Sequence, residues 1–230
     1  MRVSEREVII PIDGVRLYGT LAEVPDARAA VVFAHGSGSG RHSGRNRYVA
    51  TELQLAGFST LLFDMLTEDE EEAERDGQHL RFDVDLLAMR LTTASQWLAR
   101  RLGDEPSIGY FGASTGAAAA LVAAARAPEH IDAIVSRGGR PDLAGPELEK
   151  VHAPTLLVVG SEDRAVLDMN ERALEHLDAR AALEVVEGAT HLFEEPGALE
   201  VVAALSRQWF GQHLRLQPAL HDSPGFEAQP

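Results

Sequence analysis

The run Ile108-Gly109-Tyr110-Phe111-Gly112-Ala113-Ser114-Thr115-Gly116 is followed by an alanine-rich stretch over residues 117–127. The apolar residues at the start of this run predict a buried strand, and the alanines predict a helix. A Gly-x-Ser-x-Gly turn between a strand and a helix is typical of a nucleophile elbow, where the serine is strained and its hydroxyl exposed. Glycine is needed at positions 112 and 116 because side chains there would collide across the turn. Ser114 is therefore the first candidate catalytic residue.

A glycine-rich turn before a helix can also hold a phosphate, because the helix N-terminus carries free N–H groups and a positive dipole end. The spacing of Gly109, Gly112 and Gly116 matches neither G-x-G-x-x-G nor G-x-x-x-x-G-K-[ST]. The five-residue serine pattern is weak evidence when taken alone. Its interpretation therefore depends on which residues accompany it elsewhere in the chain.

Composition favours one globular domain, predicted over residues 1–213, with a polar tail over 214–230. The chain has 230 residues, 45% of them hydrophobic, and a formal net charge of −15. Such a charge repels nucleic acid and anionic membranes, so we expect neither as a partner. The absence of cysteine excludes disulfides, cysteine metal sites and a thiol nucleophile. Without an apolar leader or a long apolar run, we expect a cytoplasmic protein.

Short apolar runs alternate with helical patterns along the rest of the chain. The Asp13-Gly14 dipeptide predicts a hairpin. Further strands are predicted at 29–34, 58–65, 131–136, 154–160 and 182–187, and helices at 47–56, 80–102, 165–177 and 199–213. This alternation predicts an α/β fold, with a mostly parallel sheet, helices on both faces and an antiparallel N-terminal edge. In such sheets the functional site lies at the carboxyl ends of the strands.

Two further residues needed for acyl transfer follow predicted strands. His191 can act as the general base, and Asp163 can orient its imidazole and stabilise the imidazolium. The chain order Ser, Asp, His is the order expected of α/β-hydrolases. Taken singly, His191 could be an ordinary loop histidine and Asp163 a helix cap, with Glu162 as a rival for its role. Their joint placement in the expected loops favours a catalytic triad with Ser114.

The loop after the strand at 29–34 reads His35-Gly36-Ser37-Gly38 and continues to Ser43. We expect the backbone N–H groups of Ser37 and Thr115 to form the oxyanion hole. Arg41 breaks the G-x-G-x-x-G pattern, so this loop does not predict a dinucleotide site. The histidines show no metal-ligand spacing, so we expect no metal.

These motifs resemble the α/β-hydrolase superfamily, and more narrowly the dienelactone hydrolase-like family, over about residues 7–213. The segments that carry the resemblance are His35-Gly36-Ser37-Gly38, Gly112-Ala113-Ser114-Thr115-Gly116, Gly160-Ser161-Glu162-Asp163 and Thr190-His191-Leu192-Phe193. The resemblance implies an eight-stranded core, no cofactor and hydrolysis of esters or lactones. Dienelactone hydrolases proper use a cysteine nucleophile, whereas this chain has serine at that position.

The length of one connection bears on the shape of the site. Only residues 137–153 separate the sixth strand from the seventh, so we expect no large cap domain and a shallow, open site. Large lipid substrates, which need an apolar tunnel or a mobile lid, are therefore disfavoured. The acidic run 68–74 is interpreted as a solvated face rather than a metal site.

Basic residues follow the strand ends of this acidic chain: Arg41, His42, Arg45 and Arg47 after the third strand, and Arg137 and Arg140 after the sixth. Either some of them clamp an anionic group of the substrate, or they brace neighbouring loops through carboxylates such as Glu70 or Asp142. Our candidates for substrate binding are Arg41, His42 and Arg137.

The sequence therefore predicts a serine hydrolase that cleaves small carboxylic esters or lactones through an acyl-enzyme. Whether the substrate carries an anionic group is left open. A non-catalytic binding module of the same fold is the alternative from a different class, because fold alone does not fix function. Acyl transfer and amide hydrolysis also stay open, since a triad does not choose the acceptor. A homodimer is left open as well.

Overall fold

An eight-stranded sheet runs through the structure, a computed structural model that describes residues 3–73, 79–103, 106–177 and 180–215. The strands are β1 (Ser4–Ile12), β2 (Val15–Glu23), β3 (Ala29–Ala34), β4 (Ser59–Phe63), β5 (Ser107–Ala113), β6 (Ala133–Arg137), β7 (Thr155–Gly160) and β8 (Ala181–Val186). Their order is β1-β2-β4-β3-β5-β6-β7-β8. The pairs β1–β2 and β2–β4 are antiparallel and all the others are parallel, which confirms the predicted sheet and its antiparallel edge.

Helices cover both faces of this sheet, as predicted. They are α1 (Gly44–Leu55), α2 (Glu68–Ala73), α3 (Val84–Leu102), α4 (Thr115–Arg126), α5 (Arg164–Leu174) and α6 (Ala198–His213). Helices α1 and α6 pack on one face of the sheet, and α3, α4 and α5 contribute to the core on the other. Every residue of the central strand β5 is buried, because helices cover it on both sides.

The N-terminal hairpin turns at Asp13 and Gly14, whose φ angles are 43° and 83°. Positive φ at both central residues is the requirement of a type I′ turn, whose twist matches that of the flanking strands. Ile12 pairs directly with Val15 across the turn. The prediction of a hairpin at this dipeptide is therefore confirmed.

Two helix starts differ from the prediction because side chains cap them. Helix α1 begins at Gly44 rather than Arg47, since the Ser43 side chain accepts a hydrogen bond from Asn46 N at 3.4 Å. The predicted helix 80–102 is divided into a 3₁₀ turn and helix α3. The division falls at Asp83, whose carboxylate accepts the Leu86 N–H at 3.0 Å and starts a new helix.

The predicted boundary between domain and tail is at residue 213. Helix α6 ends at His213, but Leu214 is buried and packs beside Gly109 of β5. The remainder of the predicted tail, from residue 216 onward, lies outside the described residues. None of the helices in the described part of the chain is both long enough and apolar enough to cross a membrane.

The connection between β6 and β7 contains only short 3₁₀ turns, over Pro141–Lys150, with a kink at Gly145. No large cap domain is inserted there, which confirms the prediction. The carboxyl ends of the central strands are thus left uncovered on this side.

Candidate active site

Ser114 stands between β5 and α4 with φ 51° and ψ −121°. This region of backbone space is sparsely populated by residues that carry a Cβ, and such strain clusters at functional sites. The surrounding packing enforces it. A Cβ on Gly112 would overlap the backbone of Ala117, and a Cβ on Gly116 would overlap the carbonyl oxygen of Ala34. The geometry is therefore that of a nucleophile elbow.

His191 and Asp163 are joined by a hydrogen bond of 2.6 Å between Nδ1 and Oδ2. Because the carboxylate can only accept, Nδ1 carries the proton and Nε2 is left as an acceptor. The Asp163 side chain is 16% exposed and that of His191 is 39% exposed, so the imidazole is open to a ligand. Glu162, the rival candidate, is exposed to solvent, and the structure gives the bond to Asp163.

The loops that carry these residues are held together by close contacts. A Cβ on Gly36 would lie 3.1 Å from the Ser114 Cβ, so the loop after β3 packs directly on the elbow. Ser114 N donates to the Arg137 carbonyl at 3.2 Å. A Cβ on Gly138 would lie 3.3 Å from the carbonyl oxygen of His191. The loops after β3, β5, β6, β7 and β8 thus form one neighbourhood, as the strand-end rule predicts.

The two predicted oxyanion donors are close to Ser114, because Thr115 follows it in the chain and Ser37 follows Gly36, which packs on the elbow. Thr115 is the first residue of α4, so its N–H has no acceptor within the helix. Ser37 is the second residue of a turn closed by Ser39 N and the Gly36 carbonyl at 3.1 Å, so its own N–H stands outside that bond. Both N–H groups are therefore available to an external acceptor.

His35 fixes the loop that carries Ser37. Its Nε2 accepts the Met65 N–H at 3.0 Å, so Nδ1 carries the proton and donates to the Gly36 carbonyl at 2.9 Å. Burial lowers the pKa of His35, which keeps the ring neutral in this arrangement. In the sequence, His35 is only part of the His35-Gly36-Ser37-Gly38 motif, and nothing there predicts this separate role.

Arg41 does not fit its predicted role as an anion clamp. Its guanidinium pairs with Asp64 and lies 3.3 Å from the Glu7 carboxylate, and its backbone N–H also donates to Asp64 at 2.8 Å. Carboxylates already neutralise this charge, so Arg41 braces the loop. Arg140 is likewise paired, through two hydrogen bonds to Asp142 of 2.7 and 2.8 Å. Both arginines thus have the carboxylate partners that the bracing interpretation requires.

A cleft of about 580 Å³ opens beside Ser37, and exposed His42 stands at its rim. Glu68 and Glu71 of α2 also line this cleft. The acidic run is predicted to be a solvated face, and most of its described residues are exposed. Glu70 is the exception, because it forms a two-point ion pair with buried Arg90 at 2.6 and 2.7 Å. This ion pair fixes α2 beside the cleft that Ser37 lines.

Arg137, in contrast to Arg41, is buried at 8% exposure, and its guanidinium lies 5.8 Å from the centre of the Phe193 ring. Within the described ranges, no carboxylate lies within 4.0 Å of it, and its Nε and Nη1 atoms have no hydrogen-bond partner. Of the three candidates for substrate binding, Arg137 alone combines burial with an unneutralised charge.

Asn170 is a residue that the sequence analysis missed. It is fully buried on α5, and its Nδ2 donates to the carbonyls of Gly139 at 3.0 Å and Val166 at 2.8 Å. Arg140, which follows Gly139 in the chain, donates its N–H to the Ser114 carbonyl at 3.2 Å. Asn170 thus ties the helix that follows Asp163 to the loop that holds the elbow. A lone asparagine in a helical pattern gives no signal of this role.

A family model described as the alpha/beta hydrolase fold matches residues 29–151, a range that includes β3, the elbow and α4. The chain belongs to the α/β-hydrolase family. A dienelactone hydrolase from Anabaena variabilis is 52% identical to this α/β-hydrolase, with a TM-score of 0.90 over 94% of this chain and 100% of that chain. The resemblance to the dienelactone hydrolase-like family is therefore confirmed.

Two further comparisons are with a protein of the same fold and with a relative that has a longer chain. Carboxyl esterase 2 from the fungus Tuber melanosporum has a TM-score of 0.70 at 18% identity, covering 94% of this chain and 89% of that chain. A Mycobacterium tuberculosis protein with the provisional name phosphoribosyl transferase is 54% identical over 214 residues, which are 92% of this chain and 47% of that relative. The chain thus spans about half the length of the curated relatives it matches. Together, the family model and the Anabaena relative support a hydrolase.

Proposed function

We propose that this α/β-hydrolase is a serine hydrolase that cleaves small carboxylic esters or lactones through an acyl-enzyme intermediate. The proposal is carried by one observation, the 2.6 Å hydrogen bond that orients His191 through Asp163 in the loops beside the strained Ser114. A nucleophile, a base and an orienting carboxylate are the three groups that acyl transfer needs.

In the proposed reaction, Ser114 Oγ attacks the ester carbonyl while His191 Nε2 takes its proton. Asp163 stabilises the imidazolium that forms. The negative charge on the carbonyl oxygen accepts hydrogen bonds from the N–H groups of Ser37 and Thr115, at the positive end of α4. His191 then gives its proton to the departing alcohol, and the acyl group stays on Ser114.

Water completes the cycle by the reverse sequence of proton transfers. His191 removes a proton from the water that attacks the acyl-enzyme, and returns it to Ser114 as the acid leaves. For a lactone, the leaving alcohol remains attached to the acyl chain, so the product is a single hydroxy acid. Neither step requires a cofactor.

The openness of the site supports small substrates. The imidazole of His191 is 39% exposed, and the connection after β6 provides no cap domain. An open site buries little acyl-chain surface, and each buried CH₂ contributes only about 0.8 kcal/mol. Short acyl esters are therefore the proposed substrate class.

The test is hydrolysis of 4-nitrophenyl esters and a set of lactones by wild type and by three variants. Ser114→Ala and His191→Ala should each lower kcat by about 10⁴-fold or more, and Asp163→Asn by somewhat less. Near-full esterase activity in folded Ser114→Ala protein would show that another nucleophile acts.

A fluorophosphonate probe separates the enzyme from a non-catalytic binding module. Wild type should be labelled at Ser114, and Ser114→Ala should not be labelled. Ser206→Ala, which removes a buried serine hydroxyl on α6, is the matched control and should label like wild type. No labelling of wild type would favour the binding module. Turnover of matched amides, and of esters with added alcohol, tests the amidase and acyltransferase alternatives.

We do not propose phosphoribosyl transfer for this chain. The provisional name of the mycobacterial relative belongs to a protein of which 47% is matched here. The candidate residues of this chain, Ser114, Asp163 and His191, have the chemistry of acyl transfer.

A further inference from the structure

The loop between β8 and α6 carries His191, and its first residues are fixed to the loop after β7. Glu162 N donates to the Ala189 carbonyl at 3.0 Å, and a Cβ on Gly160 would lie 2.2 Å from the same carbonyl oxygen. This close packing ends at Ala189, two residues before the histidine. Contacts further along the loop therefore determine the path of the backbone through His191.

His191 and Leu192 are the two central residues of a turn, which is closed by a hydrogen bond of 3.2 Å from Phe193 N to the Thr190 carbonyl. Phe193 is buried, at 1% exposure, and its φ angle is 55°. A bulky residue rarely adopts this left-handed conformation, and such strain persists only where the surrounding contacts enforce it. The turn that presents His191 therefore needs a restraint.

A side-chain hydrogen bond spans this turn. Thr190 Oγ1 donates to Glu195 Oε1 at 2.6 Å, a length typical of a hydroxyl that donates to a charged carboxylate. The bond from Thr190 lowers the pKa of Glu195, so its carboxylate is charged at neutral pH. The Glu195 carbonyl accepts the Ala198 N–H at 3.0 Å, where α6 begins. The Thr190–Glu195 bond thus ties the His191 turn to the start of a helix.

The location of this bond separates its effect on activity from its effect on stability. Thr190 is exposed, and substitutions at the surface usually change the free energy of unfolding little. A misplacement of a catalytic group by about 1 Å, in contrast, can lower a rate about 100-fold. The hydrogen bond to Asp163 orients the imidazole ring but does not fix the backbone that carries it.

We infer that Thr190 and Glu195 are positioning residues of the proposed hydrolase, which hold the His191 turn where Nε2 can take the proton of Ser114. Two restraints then divide the task. Asp163 sets the rotation of the ring through Nδ1, and the Thr190–Glu195 bond sets the place of the backbone. This assignment rests on the proposed function, since it concerns the general base of that same reaction.

Substitution of Thr190 tests the donor of the bond. Thr190→Val keeps the shape of the side chain without the hydroxyl, and Thr190→Ser keeps the hydroxyl. With a short 4-nitrophenyl ester, Thr190→Val should lower kcat and kcat/KM together by about 10- to 100-fold, whereas Thr190→Ser should stay within about three-fold of wild type. Thr93→Val is the matched control, because it removes a threonine hydroxyl that donates to the Met89 carbonyl on α3, and it should leave kcat unchanged.

Substitution of Glu195 tests the acceptor. Glu195→Ala should lower kcat as Thr190→Val does, and the double variant should be no slower than the slower single variant, because both changes remove one hydrogen bond. Glu195→Gln keeps an acceptor oxygen without the charge, so its kcat should be intermediate. Losses that multiply in the double variant would show that the two residues act independently, and would overturn the inference. If Glu195→Ala fails to fold, Glu195→Gln and the Thr190 variants decide.

The rate of labelling by a fluorophosphonate reports the attack of Ser114 without substrate binding or deacylation. It should fall in Thr190→Val and stay near the wild-type value in Thr190→Ser. A lower Tm with unchanged kcat and labelling rate in Thr190→Val would assign the bond a purely structural role and overturn the inference alone. Equal losses of activity in Thr190→Val and Thr190→Ser would also overturn it. Wild-type protein that neither hydrolyses esters nor is labelled would instead refute the proposed function, and the positioning role with it.

Discussion

Replacing Ser114 by glycine should make the protein more stable than replacing it by alanine, although both changes remove the nucleophile. Ser114 has φ 51° and ψ −121°, a conformation that glycine adopts readily and alanine does not. Ser114→Ala keeps the Cβ and therefore keeps the strain. Ser114→Gly removes the Cβ and releases it.

The expected gain follows from two opposing contributions. Strain of this kind costs about 1–3 kcal/mol. Glycine loses more backbone entropy on folding than alanine does, at a cost of about 0.5–1 kcal/mol. The difference leaves Ser114→Gly about 1 kcal/mol more stable than Ser114→Ala. For a domain of this length, that is an increase of about 2–4 °C in Tm.

Calorimetric or fluorescence melting of the two variants measures this difference. The same comparison at Arg207, an exposed residue within α6, supplies a control of opposite sign. There, glycine should be less stable than alanine by about 1 kcal/mol, because the helix favours alanine. A Ser114→Gly protein that melts at or below Ser114→Ala would refute the argument that the elbow is strained.

Three further outcomes are expected. Wild-type kcat/KM for 4-nitrophenyl esters should be highest for short acyl chains and fall steeply beyond about eight carbons, and a preference for long chains would reveal an apolar tunnel. Asn170→Ala should lower the free energy of unfolding by about 1–3 kcal/mol, because the buried Gly139 carbonyl loses its donor. It should also lower kcat, and an unchanged Tm and kcat would show that Asn170 does not hold the loop beside Ser114. Burial lowers the pKa of His35 from 6.5. Below about pH 6.5 the histidine is therefore protonated more readily in the unfolded chain than in the folded one, and the free energy of unfolding should decrease as the pH decreases. In His35→Gln, denaturant titrations between pH 7 and 5 should show a smaller loss than in wild type, and an equal loss would exclude His35 as the source.

The fold could be predicted because each strand has a local sequence pattern that identifies it. The run 29–34 and the run before Ser114 are apolar throughout, which is what a strand covered on both faces requires. The Asp13-Gly14 turn has one strong local interpretation, and it fixed the antiparallel edge. Once the strands are in order, the strand-end rule brings Ser114, Asp163 and His191 into neighbouring loops without any knowledge of contacts.

The partners of charged side chains could not be predicted in the same way. Arg41 and Arg137 are equivalent in the sequence, since each follows a strand that ends near the elbow. Arg41 finds Asp64, which follows β4, the neighbour of β3 in the sheet. Arg137 ends β6, which lies between β5 and β7, and no carboxylate reaches it within the described residues. Sheet order, which a local pattern does not encode, decides which of the two is braced.

The same limit applies to Asn170 and to the start of α3. A buried asparagine that donates to a loop carbonyl is defined by a contact between α5 and residue 139, which are distant in sequence. Asp83, in contrast, caps α3 through a local hydrogen bond, and its signal was present in the sequence. The helical periodicity of residues 80–102 is continuous across Asp83, so the pattern alone predicts one helix where the structure has two elements.

Two departures from ordinary protein architecture lie side by side in this molecule. Ser114 has a strained backbone, and Arg137 is a buried charge with no carboxylate within 4.0 Å among the described residues. A single hydrogen bond, from Ser114 N to the Arg137 carbonyl, connects them. Departures of this kind cost stability and persist where function requires them. Under the proposed function, the strain at Ser114 is explained by the exposed hydroxyl of a nucleophile. The backbone of Arg137 helps to hold the elbow through this hydrogen bond, so the strained turn and the strand that carries the buried charge are parts of one structural unit.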